Sequence, residues 1–218
     1  MTRQKEPQFV FNGGLLWIDF INTQIVEHGR IVDQLESFKH WTSWLLQSGA
    51  VPAHALQAIL RDKNGADSGG ESLARVLAFR SVLRESAEHI VRGSQLPNFV
   101  LTEVNRQLGL PLGYPQLVYE QNRYREQFIL KITDASQLLA PIAQSISHFL
   151  CNEELRFLKK CENPECILFF HDGSKNHSRR WCSMKICGNR LKVSAYYQRL
   201  RDSQSKQDRP ARRSSSQQ

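Results

Sequence analysis

The feature that most constrains this chain is a cysteine quartet packed into 27 residues. Cys161 and Cys166 are separated by four residues, fifteen more follow, and Cys182 and Cys187 repeat the four-residue gap. Two close thiol pairs joined by a loop are the arrangement that lets four sulfurs converge on one tetrahedral zinc ion. Glu162, Asn163, Pro164 and Glu165, inside the first pair, are turn formers that let both sulfurs face the same point. The expected cofactor is therefore one structural Zn2+. Four thiolates close the coordination shell, whereas a catalytic zinc keeps one position open for water. His171 and His177 lie between the pairs and are the residues that could replace a cysteine ligand. Cys151, after Phe149 and Leu150, reads as a core thiol.

Charge is distributed unevenly around this quartet. Residues 1–150 carry 14 Lys and Arg against 14 Asp and Glu, so they are neutral, while residues 151–218 carry 15 against 7. The whole formal excess of +8 sits in the last third of the chain. Such a split points to a neutral globular part joined to a basic module for a polyanion. The candidate nucleic-acid contacts are Lys175, Arg179, Arg180, Lys185, Arg190, Lys192 and Arg199. A helix is expected from about Asn189, with Val193, Tyr196, Tyr197 and Leu200 as an apolar stripe docked on the metal knuckle and its basic surface outward. Residues 203–218, nearly free of large apolar side chains, are expected to form a disordered basic tail.

The stretch from Cys161 through Cys166, then Ser174 to Met184 with its Trp181-Cys182-Ser183-Met184 block, then Cys187-Gly188-Asn189-Arg190, resembles the CGNR zinc finger. The residues Phe11 to Gly14, Leu16, Asp19, Phe20, Asn22, Thr23 and the Trp41 helix resemble the ABATE domain that precedes this finger in its relatives. The resemblance implies a bacterial, stress-related DNA-binding regulator. It implies an ABATE-like sensor or dimerisation domain over residues 1–152 and a finger over 153–202.

The fold class expected is α+β. It combines a mainly helical amino-terminal domain with a short antiparallel sheet and a small zinc module made of a hairpin knuckle and a helix. Gln8 to Phe11 and Leu15 to Ile21 read as short strands around Gly13-Gly14. Asp33 reads as the cap of a helix with Leu35, Phe38, Trp41 and Leu45 on one face. Further helices are expected from Pro52 to Arg61, from Leu73 to about Gly93, from Asn98 to Gly109, and from Asp134 to Cys151 with a bend at Pro141. A loop is expected over Asn64 to Gly70, and a hairpin over Gln116 to Ile132 turning at Gln121 to Arg123.

Asp19 and Asn22 interrupt an apolar run. With Trp17 and Trp41 they could line a pocket for a small-molecule effector, or they could simply satisfy nearby backbone groups. No segment approaches the roughly 20 apolar residues of a spanning helix, and no cleavable leader is visible, so a cytoplasmic protein without membrane contact is expected. No nucleophile elbow, phosphate loop or metal-hydrolase helix is present, and no enzymatic activity is expected. The favoured function is a DNA-binding transcription regulator whose larger domain senses an effector or forms a homodimer. The alternatives are an RNA-binding accessory protein, a zinc-stabilised interaction module, and an enzyme with a nucleic-acid anchor.

Overall fold

The computed structural model describes residues 8–61 and 69–207. In chain order it contains α1 (Leu16–Ile21), β1 (Gln24–Glu27), β2 (Arg30–Asp33), α2 (Phe38–Ser48), α3 (Ala53–Arg61), α4 (Gly69–Val91) and α5 (Asn98–Leu108). These are followed by β3 (Gly113–Glu120), β4 (Arg123–Leu130), α6 (Ala140–Asn152), β5 (Leu158–Lys160), β6 (Phe169–His171) and α7 (Asn189–Gln207). The strands form three separate two-stranded antiparallel sheets, β1–β2, β3–β4 and β5–β6. This is the mainly helical α+β architecture expected. The chain divides after Cys182 into two compact units, the second beginning at Ser183, so the knuckle strands β5 and β6 belong to the first.

Helix α1 is the centre of the first unit. Its Trp17, Ile18, Phe20 and Ile21 are fully buried. Phe20 packs 5.3 Å from Trp41 and 5.5 Å from Trp44 between ring centroids, while Trp17 lies 5.3 Å from Phe149 of α6. Val76, Phe79, Leu83 and Ala87 of α4, Val100 and Val104 of α5, and Ile142, Ala143 and Ile146 of α6 complete the same core. The stretch read as a strand is therefore a helix, and Gln8 to Phe11 is not in a strand either. A run this short and this largely buried shows too little of a polar face for its period to separate helix from strand.

The first sheet lies just beyond that run. Strands β1 and β2 turn at His28-Gly29, whose φ angles of 51° and 77° are those of a two-residue hairpin turn. Asp33 consequently ends β2 instead of capping α2. Ser37 is the cap, its hydroxyl accepting from the His40 N–H at 3.2 Å, and Gly49 closes the helix with φ 71°. Asp33 instead pairs with the buried Arg80 of α4, which also donates to the Thr23 hydroxyl at 2.8 Å.

Elsewhere the helices follow the sequence closely. Asp134 caps a 3-10 turn (Ala135–Leu139) in a complete capping box with Gln137, and Pro141 sits in the first turn of α6. The expected bend is this passage from 3-10 to α geometry, where the missing proline N–H costs nothing. The expected loop at 64–70 lies outside the described residues as far as residue 68, and Gly69 and Gly70 already belong to α4. Helix α7 continues to Gln207, beyond the expected start of the tail, because the first helix breaker in the sequence is Pro210. Residues 208–218 lie outside the described residues.

Candidate metal centre and its surroundings

The four quartet sulfurs lie within 4.8 Å of one another. Sγ of Cys166 and Cys182 are 3.7 Å apart, close to the ~3.8 Å that a tetrahedron with zinc–sulfur bonds of about 2.3 Å requires. Cys161, Cys182 and Cys187 are buried and Cys166 is half-buried. Donor type, number and spacing all fit one structural zinc. When bound, the metal supplies four bonds that tie a loop-rich segment together.

Each ligand is set by local backbone chemistry. Asn163 makes the turn inside the first pair: its carbonyl accepts from the Cys166 N–H at 2.8 Å and its Oδ1 from the Glu165 N–H at 3.1 Å. The Cys182 N–H points at Sγ of Cys161, 3.4 Å away, which favours a thiolate there. Hydrogen bonds from Cys166 and Cys182 also pull the Cys161 thiol far below its ordinary range. The Cys161 sulfur in turn raises Cys166 and Cys182, since further ionisation in the same place is opposed. A divalent cation removes that opposition by taking the place of the protons. A one-turn π-helical segment, Met184–Gly188, carries Cys187.

The loop between the pairs is built on a buried carboxylate. Asp172 is fully enclosed and accepts from Lys159 Nζ at 2.6 Å, the Ser174 hydroxyl at 2.6 Å, and the N–H groups of Ser174 and Arg179 at 3.1 and 3.0 Å. Burial alone would push its carboxyl up, but these donors outweigh it and hold it well below the usual range. His177 stacks on Phe157 with 3.6 Å between centroids and bonds the Asp172 carbonyl, and His171 packs edge-on against Phe149. Neither histidine belongs to the metal cluster. The Asp172 network was not among the residues singled out from sequence. Asp172-Gly173-Ser174 is an Asx-turn signal that marks it.

The basic candidates divide. Lys175, Arg180, Lys185, Arg190, Lys192 and Arg199 are exposed. Arg180 is engaged with Glu162 at 2.6 Å and lies over the Trp181 ring. Arg179 is only partly exposed, and its guanidinium is spent inside the protein. It donates to the carbonyls of Asn12, Trp181 and Cys182 at 2.8, 3.0 and 2.5 Å and covers the Phe170 ring at 4.4 Å. Three of its N–H hydrogen bonds are thus given to backbone carbonyls, so here the guanidinium acts as a strut.

Two family models match the chain. One, the CGNR zinc finger, covers residues 157–200, and the other, ABATE, described as "Putative stress-induced transcription regulator", covers residues 14–153. The chain belongs to the ABATE family. No curated protein matches it at a significant level.

Within the ABATE domain, the four proposed pocket residues come together as core and bracing. Trp17 and Trp41 are fully buried among rings. Asn22, also buried, clamps strand β6 of the finger: its Nδ2 donates to the Phe169 carbonyl at 2.8 Å and its Oδ1 accepts from the Phe169 N–H at 3.0 Å. Asp19 Oδ1 accepts from the Gly13 N–H at 2.7 Å, and the Gly13 carbonyl accepts from the His171 N–H at 2.7 Å. A Cβ at Gly13 would stand 2.7 Å from the Ile18 side chain, so the approach needs glycine. Burial pushes the Asp19 carboxyl up to about 6, against the pull of the Gly13 N–H and the Arg179 cation. The backbone-satisfying role open to Asp19 and Asn22 is the one these bonds carry.

The bracing is continuous. Arg84 of α4 donates to the Ile167 carbonyl at 2.6 Å and lies over the Phe169 ring, Lys160 meets Glu88 at 2.6 Å, and Phe169 is fully buried. The knuckle strands, within the stretch that the finger model matches, thus share one hydrophobic cluster with the ABATE helices. Among the described residues no helix is long and apolar enough to cross a membrane.

Proposed function

We propose that this ABATE-family protein is a DNA-binding transcription regulator whose helix α7 is its main contact with the duplex. The observation that carries this reading is how α7 is laid out. Val193, Tyr196, Tyr197 and Leu200 form one stripe along the helix and all are exposed. At 3.6 residues per turn, Lys192 and Arg199 run along one flank of the stripe and Arg190 and Arg201 along the other. Lys185 precedes them, also exposed. A cationic rail on each side of an uncharged ridge repels a second copy of itself and complements a groove walled by two phosphate strands. In that placement the flanks hold phosphates, and the valine and tyrosine side chains meet base edges and thymine methyl groups.

If Lys185, Arg190, Lys192, Arg199 and Arg201 each meet one phosphate, log affinity falls with log salt at a slope of about −4.5. Raising salt from about 50 to 200 mM then weakens duplex binding on the order of 500-fold. Lys192→Ala lowers the slope by about one and weakens all sequences alike. Electrophoretic or fluorescence titrations of the zinc-loaded chain read both. Affinity that stays flat across this range refutes the proposal. The RNA reading draws on the exposed Tyr196 and Tyr197 rings, 5.7 Å apart and T-shaped, which are free faces for unstacked bases. Single-stranded RNA that displaces duplex DNA, with loss on Tyr196→Ala, would move the assignment there.

A further inference from the structure

Strands β3 and β4 pair in full register from Gly113 opposite Leu130 to Glu120 opposite Arg123, closed by Gln121 and Asn122 at φ 50° and 61°. Opposite residues in an antiparallel pair share a face. One face therefore carries Pro115, Leu117, Tyr119, Tyr124 and Phe128, with Glu126 as its one charge. The other carries Gln116, Glu120, Arg123, Arg125 and Gln127 beside Tyr114, Val118 and Ile129. Alternation of this kind normally marks a face that is buried. Here that face is open to solvent: Leu117 is 70% exposed, Tyr119 60%, Tyr124 73% and Phe128 59%. The ribbon is nonetheless preorganised, with Tyr119 and Tyr124 rings 4.9 Å apart and the Tyr119 hydroxyl donating to Asn122 at 2.6 Å.

We propose that this face is the homodimer interface, two hairpins stacking on one another as a four-stranded sandwich. The area fits. At these exposures the four large side chains present roughly 500 Å², so two copies remove roughly 1,000 Å² from water before Pro115 and Leu130 are counted, the size at which specific association begins. The composition, aromatic and aliphatic with one carboxylate, is that of an interface core and not of a rim. A second copy covers both open faces at once, and the polar reverse face stops growth there, so the assembly closes as a two-fold dimer. With the two-fold axis along the strands, β3 lies over β4 of the second copy. The two Glu126 carboxylates then fall on opposite edges of a ribbon only two strands wide, where each still reaches water. Nothing in this interface depends on nucleic acid.

Sedimentation equilibrium of the full zinc-loaded chain across roughly 1–100 µM should show mass rising from 25.1 kDa toward twice that value. Leu117→Lys and Tyr124→Glu should each raise the dimer dissociation constant at least about 100-fold. Both side chains are exposed in the protomer, so far-UV circular dichroism and zinc content should be unchanged. Gln116→Lys, on the polar face, should leave the constant as it is. A chain that remains monomeric throughout, or a dimer indifferent to both face substitutions, overturns the proposal and gives the face to a different partner or the dimer to a different surface.

Discussion

Asn22→Ala tests the joint between the ABATE core and the knuckle. The Asn22 amide copies a neighbouring strand, offering one donor and one acceptor to Phe169, whose own residue is fully buried. Alanine removes both partners and leaves a buried N–H and a buried C=O with nothing to replace them. Each such orphan costs about 1–3 kcal/mol. The expected loss is about 3–5 kcal/mol of the first unit's stability. For a unit of this size each kcal/mol lowers the melting temperature by about 2–4 °C, so a drop of roughly 6–20 °C is expected. Calorimetry on the zinc-loaded protein measures it, and hydrogen exchange at the Phe169 amide localises it. Asn22→Asp is the informative partner: a carboxylate keeps the acceptor but has no donor for the Phe169 carbonyl, so Phe169 should keep amide protection better than in the alanine variant. A loss below about 1 kcal/mol with the Phe169 amide still protected would refute the clamp.

Two further outcomes follow from the metal centre. Arg179→Lys should lower the stability of the knuckle by about 2–4 kcal/mol in chemical denaturation while leaving the salt slope of nucleic-acid binding unchanged, because a point cation cannot serve three carbonyls and a ring; a slope that falls by one in a fully stable variant would contradict the strut. Purified protein should hold one zinc, and Cys182→Ser should lose it along with ordered structure around residues 157–188, as read by metal analysis and amide exchange. Tetrathiolate zinc contributes about 10–16 kcal/mol to the folding of small modules, and a metal-free variant with the loop intact would show that Asp172 and Arg179 suffice.

The metal site was legible because its information is local. Four thiols at paired spacing admit few arrangements, and the turn at Asn163 to Glu165 is written in its own residues. The helices from α3 to α6 could be read from apolar period and caps, and the hairpin at Gln121-Asn122 from two alternating runs. Where the environment is the same on every side, sequence pattern fell silent. Four of the six residues from Leu16 to Ile21 are fully buried, so their apolar pattern does not separate helix from strand, and the rings of α2 and α6 close about the helix.

Long-range pairing lay beyond the sequence for a second reason. Arg179 reads as one more cation in a basic run, and nothing near it in the chain reveals that Asn12, 167 residues away, supplies the carbonyl that holds it. Asn22 meets Phe169 across 147 residues in the same way. Residue type and spacing determined the zinc ligands, most helices and the charge asymmetry, since these depend on neighbours within a few turns. Which polar groups are spent as internal braces, and that the apolar face of the β3–β4 ribbon stays open, only tertiary structure decided: each depends on what the fold happens to bring, or not bring, against it.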